Sequence, residues 1–242
     1  KNWHVSLDNK LWDPIKAQNF IVELFDETES AYSSKQFWPA HYDDVGNYGK
    51  NPLMHLFLDA LKIPSRSDQA GNNNAFSLMD LYMGAAGVVW GLKVLESNTY
   101  GILKNNYFDM LDLAKNNQRL AMNSFLEKAN FNNNEEYELG LLLGELDFIV
   151  AKLKFTRNSS LIQSLVSVIE QNIDNSICEY MWGSSGALAV LLAYADVIDS
   201  QVLLGLINNT LNTLENQLMD SSAFGCKIWI QNLYGSHVGC LG

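Results

Sequence analysis

Glu179–Ala195, EYMWGSSGALAVLLAYA, places a glycine-punctuated turn, Gly183-Ser184-Ser185-Gly186, directly before an almost uncharged run, Ala187 to Ala193. A carboxylate, Glu179, stands four positions before the first glycine. The same phrase recurs. Leu81-Tyr82-Met83-Gly84-Ala85-Ala86-Gly87 leads into Val88-Val89-Trp90, and Leu141-Leu142-Leu143-Gly144-Glu145-Leu146-Asp147 leads into Phe148-Ile149-Val150. A fourth copy reads Tyr234-Gly235-Ser236-His237-Val238-Gly239-Cys240-Leu241-Gly242. Three copies keep G-x-x-G, and the second carries Asp147 at the last glycine position.

Between these phrases lie segments of a different kind. Tyr107, Leu111, Ala114, Ala121 and Phe125 form a stripe at helical spacing. Ile162, Val166, Ile169 and Ile173 form another, and Leu203, Ile207, Leu211, Leu214 and Leu218 a third. An apolar helix must be covered on all sides, whereas a striped helix can face water on one. The alternation predicts an all-α chain with inner apolar helices at Gly84–Leu95, Gly144–Phe155 and Gly183–Ala195 and outer amphipathic ones between them. Helical hairpins repeated in this way form an open solenoid or a closed α/α toroid. No run alternates as a strand does, so no sheet is expected. Glycines at each turn would let the chain adopt a positive φ or approach a neighbour closely. The free N–H groups of the inner helix starts would favour anions or polar ligands at one end of the ring. Ser160 with Gln163 reads as a capping box.

Ahead of the repeats, Asp13-Pro14 opens a helix carrying Ile15, Phe20, Ile21 and Leu24. A loop over 30–50, a short helix at Pro52–Lys62 and a polar loop at Pro64–Asn74 follow. The domain division is therefore 1–75, a variable helical lead-in, and 76–242, the repeats.

Bulk properties narrow the function. The chain has 242 residues, 48% hydrophobic and 18% charged, with a net charge of −11. That supports a sizeable core. The acidity, without any Lys/Arg cluster, argues against a nucleic-acid partner and an anionic membrane surface. No apolar run reaches the roughly 20 residues that span a bilayer. Three cysteines, Cys178, Cys226 and Cys240, form neither an even framework nor a C-x-x-C pair, which suits a reducing, cytoplasmic setting or simply buried thiols. The first residue is Lys1 and the last lies inside a repeat phrase, so a fragment of a longer chain is expected.

In their order and phase, the repeats resemble the N-terminal part of the lanthionine synthetase C-like (LanC-like) family, whose phrases include Y-x-G-x-A-G-[VI] and L-x-G-x-A-G. LYMGAAGVVWGL (81–92) and EYMWGSSGALAVLLAY (179–194) are similar to its first and third repeats. GLLLGELDFIVAKL (140–153) is similar to a degraded second repeat, and LYGSHVGCLG (233–242) to the start of a fourth. The resemblance implies an α/α toroid, incomplete in this chain. It also implies a lyase-type chemistry: addition of a thiol to dehydroalanine or dehydrobutyrine in a peptide, forming a thioether. Zinc held by two Cys and one His activates the thiol in that family. The family's zinc phrases, W-C-x-G and C-H-G, are absent from this sequence, so zinc is expected of the family with no metal ligands in this chain. Glu179 occupies the family's acidic position before the third glycine phrase and becomes a candidate catalytic residue. His237 is the other candidate, displaced: with the glycines aligned, the family's histidine falls on Val238. Gly84, Gly87, Gly183, Gly186, Gly235 and Gly239 would line a peptide-binding mouth. The alternative function is a zinc-free, catalytically inactive module that binds a peptide or protein partner. An α/α glycosidase pairing Glu179 with a second carboxylate ranks last, because no second carboxylate has a compelling position.

The remaining candidates have plain readings. His4, His41 and His55 have no partner one helical turn away, and Glu145 and Asp147 suit a helix N-terminus by the dipole alone. No P-loop, dinucleotide fingerprint or Ser-His-Asp order occurs.

Overall fold

The computed structural model describes residues 13–38, 40–41, 75–76, 78–82, 84–128, 139–141, 144–222, 225–233 and 236–240. These residues are mostly helical. Helix α1 (Pro14–Ala31) starts as its sequence predicts: Asp13 caps it, accepting from the N–H groups of Ile15 and Lys16, with Pro14 at the first helical position. Its expected apolar stripe is not its buried one. Ile15, Phe20 and Leu24 are exposed, while Phe25 and Glu29 are buried. The expected helix at Pro52–Lys62 and the loop at Pro64–Asn74 lie outside the described residues.

The alternating helices follow in order. They are α2 (Ala85–Ser97), α3 (Tyr107–Lys128), α4 (Glu145–Leu153), α5 (Ser159–Asn172), α6 (Ser184–Ala193) and α7 (Ser200–Asn216). Glycine is the N-cap of α2, α4 and α6: Gly84, Gly144 and Gly183. Each helix of the series packs on the next, and α2 also packs directly on α4. The result is an array of packed helical hairpins.

Helix α4 shows why its sequence has so little polarity. Phe148 and Ala151 join a core shared with α1, α2 and α3, while Leu146, Ile149, Val150 and Leu153 join the core of α5, α6 and α7. Two cores claim one nine-residue helix, so every residue from Leu146 to Leu153 is buried. Lys152 tolerates this by running its stem through apolar surroundings. Its ammonium reaches Asp112 Oδ1 at 2.5 Å and lies 4.5 Å from the Phe108 ring centre.

The outer helices bury one face each. In α3 Tyr107, Leu111, Ala114 and Ala121 of the expected stripe are buried, and the side chain of Phe125 lies outside the described residues. In α5 and α7 the expected stripes face the core in part, with Ile169 and Leu214 buried and Ile162, Val166, Ile173, Leu203 and Ile207 packed against it; the most buried face extends to Leu165, Val168 and Asn172 in α5 and to Leu206 and Thr210 in α7, while Leu211 is exposed. Helix α5 is capped by Asn158, whose side chain accepts from Leu161 N at 2.9 Å, and not by the expected Ser160 box. The lead-in is fastened to the first repeat. Tyr32, Trp38 and Tyr107 stack together with ring centres 5.0–5.7 Å apart, and Phe25 packs against Gly101.

Strands are present where none was expected. Strands β1 (Ala40–His41) and β2 (Ala75–Phe76) pair antiparallel. At the other end β3 (Leu218–Ser221), β4 (Cys226–Leu233) and β5 (Ser236–Cys240) form an antiparallel sheet in the order β3-β4-β5. Leu218 lies opposite Trp229, and Asn232 opposite His237. The reason is legible afterwards: Ile228, Trp229 and Ile230 are strong strand formers. The sheet is tied to the array where Trp229 Nε1 donates to Leu214 O at 2.7 Å. The described part of the fourth glycine phrase, Ser236–Cys240, is thus a strand and not the start of a fourth inner helix as expected.

Candidate functional site

The turns that enter the inner helices are the best-defined polar layer of the molecule. In the first turn the backbone folds back on the helix start. Gly84 N donates to Asp80 O, Ala85 N to Leu78 O, Ala86 N to Met79 O and Gly87 N to Asp80 O, at 3.0–3.3 Å. The same wrap recurs before α6, where Gly183 N donates to Glu179 O and Ser184 N to Ile177 O. Expected free N–H groups at the start of α2 are therefore already satisfied by carbonyls of the chain itself. That removes the physical basis for an anion site there.

This wrap also explains the glycines. A Cβ on Gly84 would stand 2.5 Å from Leu78 C, on Gly87 2.1 Å from Leu81 O, on Gly183 2.1 Å from Ile177 O, and on Gly186 2.0 Å from Tyr180 O. In all four the contact lies six residues back. Close approach is the requirement, not a positive φ: Gly84 and Gly183 are extended, at φ −123° and −111°. Gly84, Gly183 and Gly186 are buried, so they form the turn and not an open mouth surface. Gly235 lies outside the described residues, and Gly239 pairs with Ile230 in the sheet.

Glu179 is half-buried. Its Oε2 accepts from Met181 N at 2.8 Å and its Oε1 from Trp182 N. Both oxygens thus hold the turn. Asp80 stands in the corresponding place, four residues before Gly84, and its Oδ1 accepts from Tyr82 N at 2.9 Å. The shared spacing was readable in the sequence, yet only Glu179 drew notice there. His237 belongs to β5, opposite Asn232.

The second turn carries Asp147 where the others carry glycine. Its carboxyl is fully buried. Oδ2 accepts from Leu81 N, in the first turn, at 3.1 Å, and Oδ1 has no partner. Burial first, and then the charge of Asp80, push this carboxyl well above the usual carboxylate range, while the Leu81 N–H pulls it down. Asp147 stands in the first helical turn as expected, and in addition forms a buried link between repeats. Glu145 keeps an open position and pairs with Lys115 of α3. Beside them a half-open pocket is lined by Lys115, Gln118, Arg119 and Met122 of α3 and by Gly144, Glu145 and Phe148.

The zinc implied by the resemblance does not fit the described residues. No three of His, Cys, Asp and Glu gather among them. The Cys178 thiol is buried and donates to Gln217 Oε1 at 2.7 Å, and Cys226 is exposed in β4. Among the described residues no helix is long and apolar enough to cross a membrane. Compared with family models, curated proteins and solved structures, the chain finds no match in any of the three.

Proposed function

We propose that the chain is a LanC-like α/α repeat module, part of a toroid, that binds a peptide or protein partner at the turn end of its inner helices. The reading rests on the resemblance of the repeat phrases together with one observation: the turns before α2 and α6 are built alike, around glycines and a capping carboxylate. Each presents an exposed tyrosine, Tyr82 at 63% and Tyr180 at 54% exposure. Aromatic rings held on rigid turns suit peptide recognition, because little side-chain freedom is lost on binding. Closure into a ring and a cytoplasmic setting belong to the same proposal.

Thioether formation is the second reading. It rests on the family phrases alone, and the role of Glu179 weighs against a catalytic use of that carboxylate, since both oxygens already hold turn amides. The zinc chemistry of that reaction would have to come from residues other than those described.

Two measurements separate the readings. Titration of a dehydroalanine-containing peptide, followed by NMR, should move the Tyr82 and Tyr180 signals, and Tyr82→Ala with Tyr180→Ala should weaken binding. Unmoved tyrosines would sink the proposal. Conversion of that peptide with a thiol, losing its rate in Glu179→Gln but not its affinity, would reinstate the cyclase.

A further inference from the structure

Asp147 is the one inner-helix turn position at which a glycine is replaced by a carboxyl, and that carboxyl is sealed from water. It bonds a different repeat: its Oδ2 holds Leu81 N, in the turn that wraps the start of α2. Its Oδ1 faces no donor. An ionised carboxylate in this position would keep one backbone hydrogen bond, lose its hydration and face a second carboxylate, Asp80, itself buried. Among the described residues no cation is paired with Asp147. Of the charged groups that α3 brings to α4, Lys115 is taken by Glu145 and Asp112 by Lys152. Arg119 is exposed. The buried faces of α2 (Ala85, Ala86, Val89, Leu92) and α5 (Leu165, Val168, Ile169, Asn172) carry no charge.

We propose that Asp147 is a proton-held latch: its neutral carboxyl seats α4 against the turn of the first repeat, and its ionisation opens that contact to water. The sign follows from linkage. The closed junction binds the proton more tightly than the open one, whose Asp147 returns to the ordinary carboxylate value of about 3.9. The closed state is therefore fully favoured below that value. Its advantage declines as pH rises, until the raised value of the closed state is passed. Within that window the opening constant rises about tenfold per pH unit.

Hydrogen exchange of the Leu81 amide on the full chain reads this constant directly, after correction for the intrinsic base-catalysed rate. Wild type should show the tenfold-per-unit rise, and Asp147→Asn, which keeps an oxygen for Leu81 N, should be flat. Asp80→Asn removes the second charge and should move the upper end of the window to lower pH. Infrared difference spectra taken across the window should show a protonated-carboxyl band just above the ordinary carboxylate range that Asp147→Asn lacks. A flat wild-type profile, a slope that survives Asp147→Asn, or a missing carboxyl band would overturn the latch.

Discussion

The first and third inner-helix turns meet the same demand in one way, and the second in another. At Gly87 and Gly186 the backbone six residues back lies where a Cβ would be, and the chain has removed the Cβ. At the equivalent place in the second repeat stands Asp147, which carries a full side chain and uses it to hold Leu81 of the neighbouring turn. Gly186 faces the previous repeat at the same level, where its Cβ would stand 3.2 Å from Leu141 Cβ. At Gly186 the position faces both its own turn and the preceding repeat; Gly87 shows the first contact and Asp147 the second. Glycine serves the first, and a carboxyl serves the second at the expense of a dry, partly unsatisfied oxygen.

The largest test of this difference is Gly186→Ala. The new methyl would fall against the Tyr180 carbonyl, which is backbone and cannot step aside, so we expect a loss of about 3 kcal/mol in urea unfolding, at the upper end for overpacking. Gly87→Ala should behave alike; a loss near zero in both would mean that the wrap before the inner helices yields easily. Removing the carboxylate that stiffens the wrap should cost about 1–2 kcal/mol in Glu179→Ala, where two turn amides lose an acceptor, and about 1 kcal/mol in Asp80→Ala, where the Tyr82 amide loses one. Glu179→Gln retains one acceptor oxygen and should recover about half of that loss. The smallest effect carries the opposite sign. Gly205, in the middle of α7, has open space around it, so Gly205→Ala should stabilise by about 0.5–1 kcal/mol. If alanine destabilises at 205 as much as at 186, close approach is not what distinguishes the turn glycines. The Asp147→Asn profile completes the comparison, since a pH slope is expected of the second turn alone.

Much of the helical region was legible because its signals are local. A glycine phrase before an apolar run marks an inner helix start, and the starts at Ala85, Glu145 and Ser184 fall one residue after the predicted glycines. The stripe of α3 was equally plain. The stripes of α5 and α7 were only partly placed: Ile169 and Leu214 are buried as expected, but the covered face also takes in Leu165, Val168, Leu206 and Thr210, and only the neighbouring helices decide how far it extends. The sheet at Leu218–Cys240 was missed because the glycine phrase in it was read by analogy with the other three. The strand-forming run Ile228-Trp229-Ile230 just before it was the overlooked signal.

The candidate site divides in the same way. The sequence by itself determined the recurring glycine phrase, the apolar runs that follow it as helices at three places, and the carboxylate four residues before Gly183. Each of these is set by contacts within about one turn of the chain, which spacing records. Only the tertiary structure decided what those carboxylates do. Glu179 bonds its own turn and Asp147 bonds another repeat, 66 residues away along the chain. Burial between two cores turns a helix-start acid into a sealed one, and no local pattern carries that information, because the dielectric around a side chain is made by residues far from it in sequence.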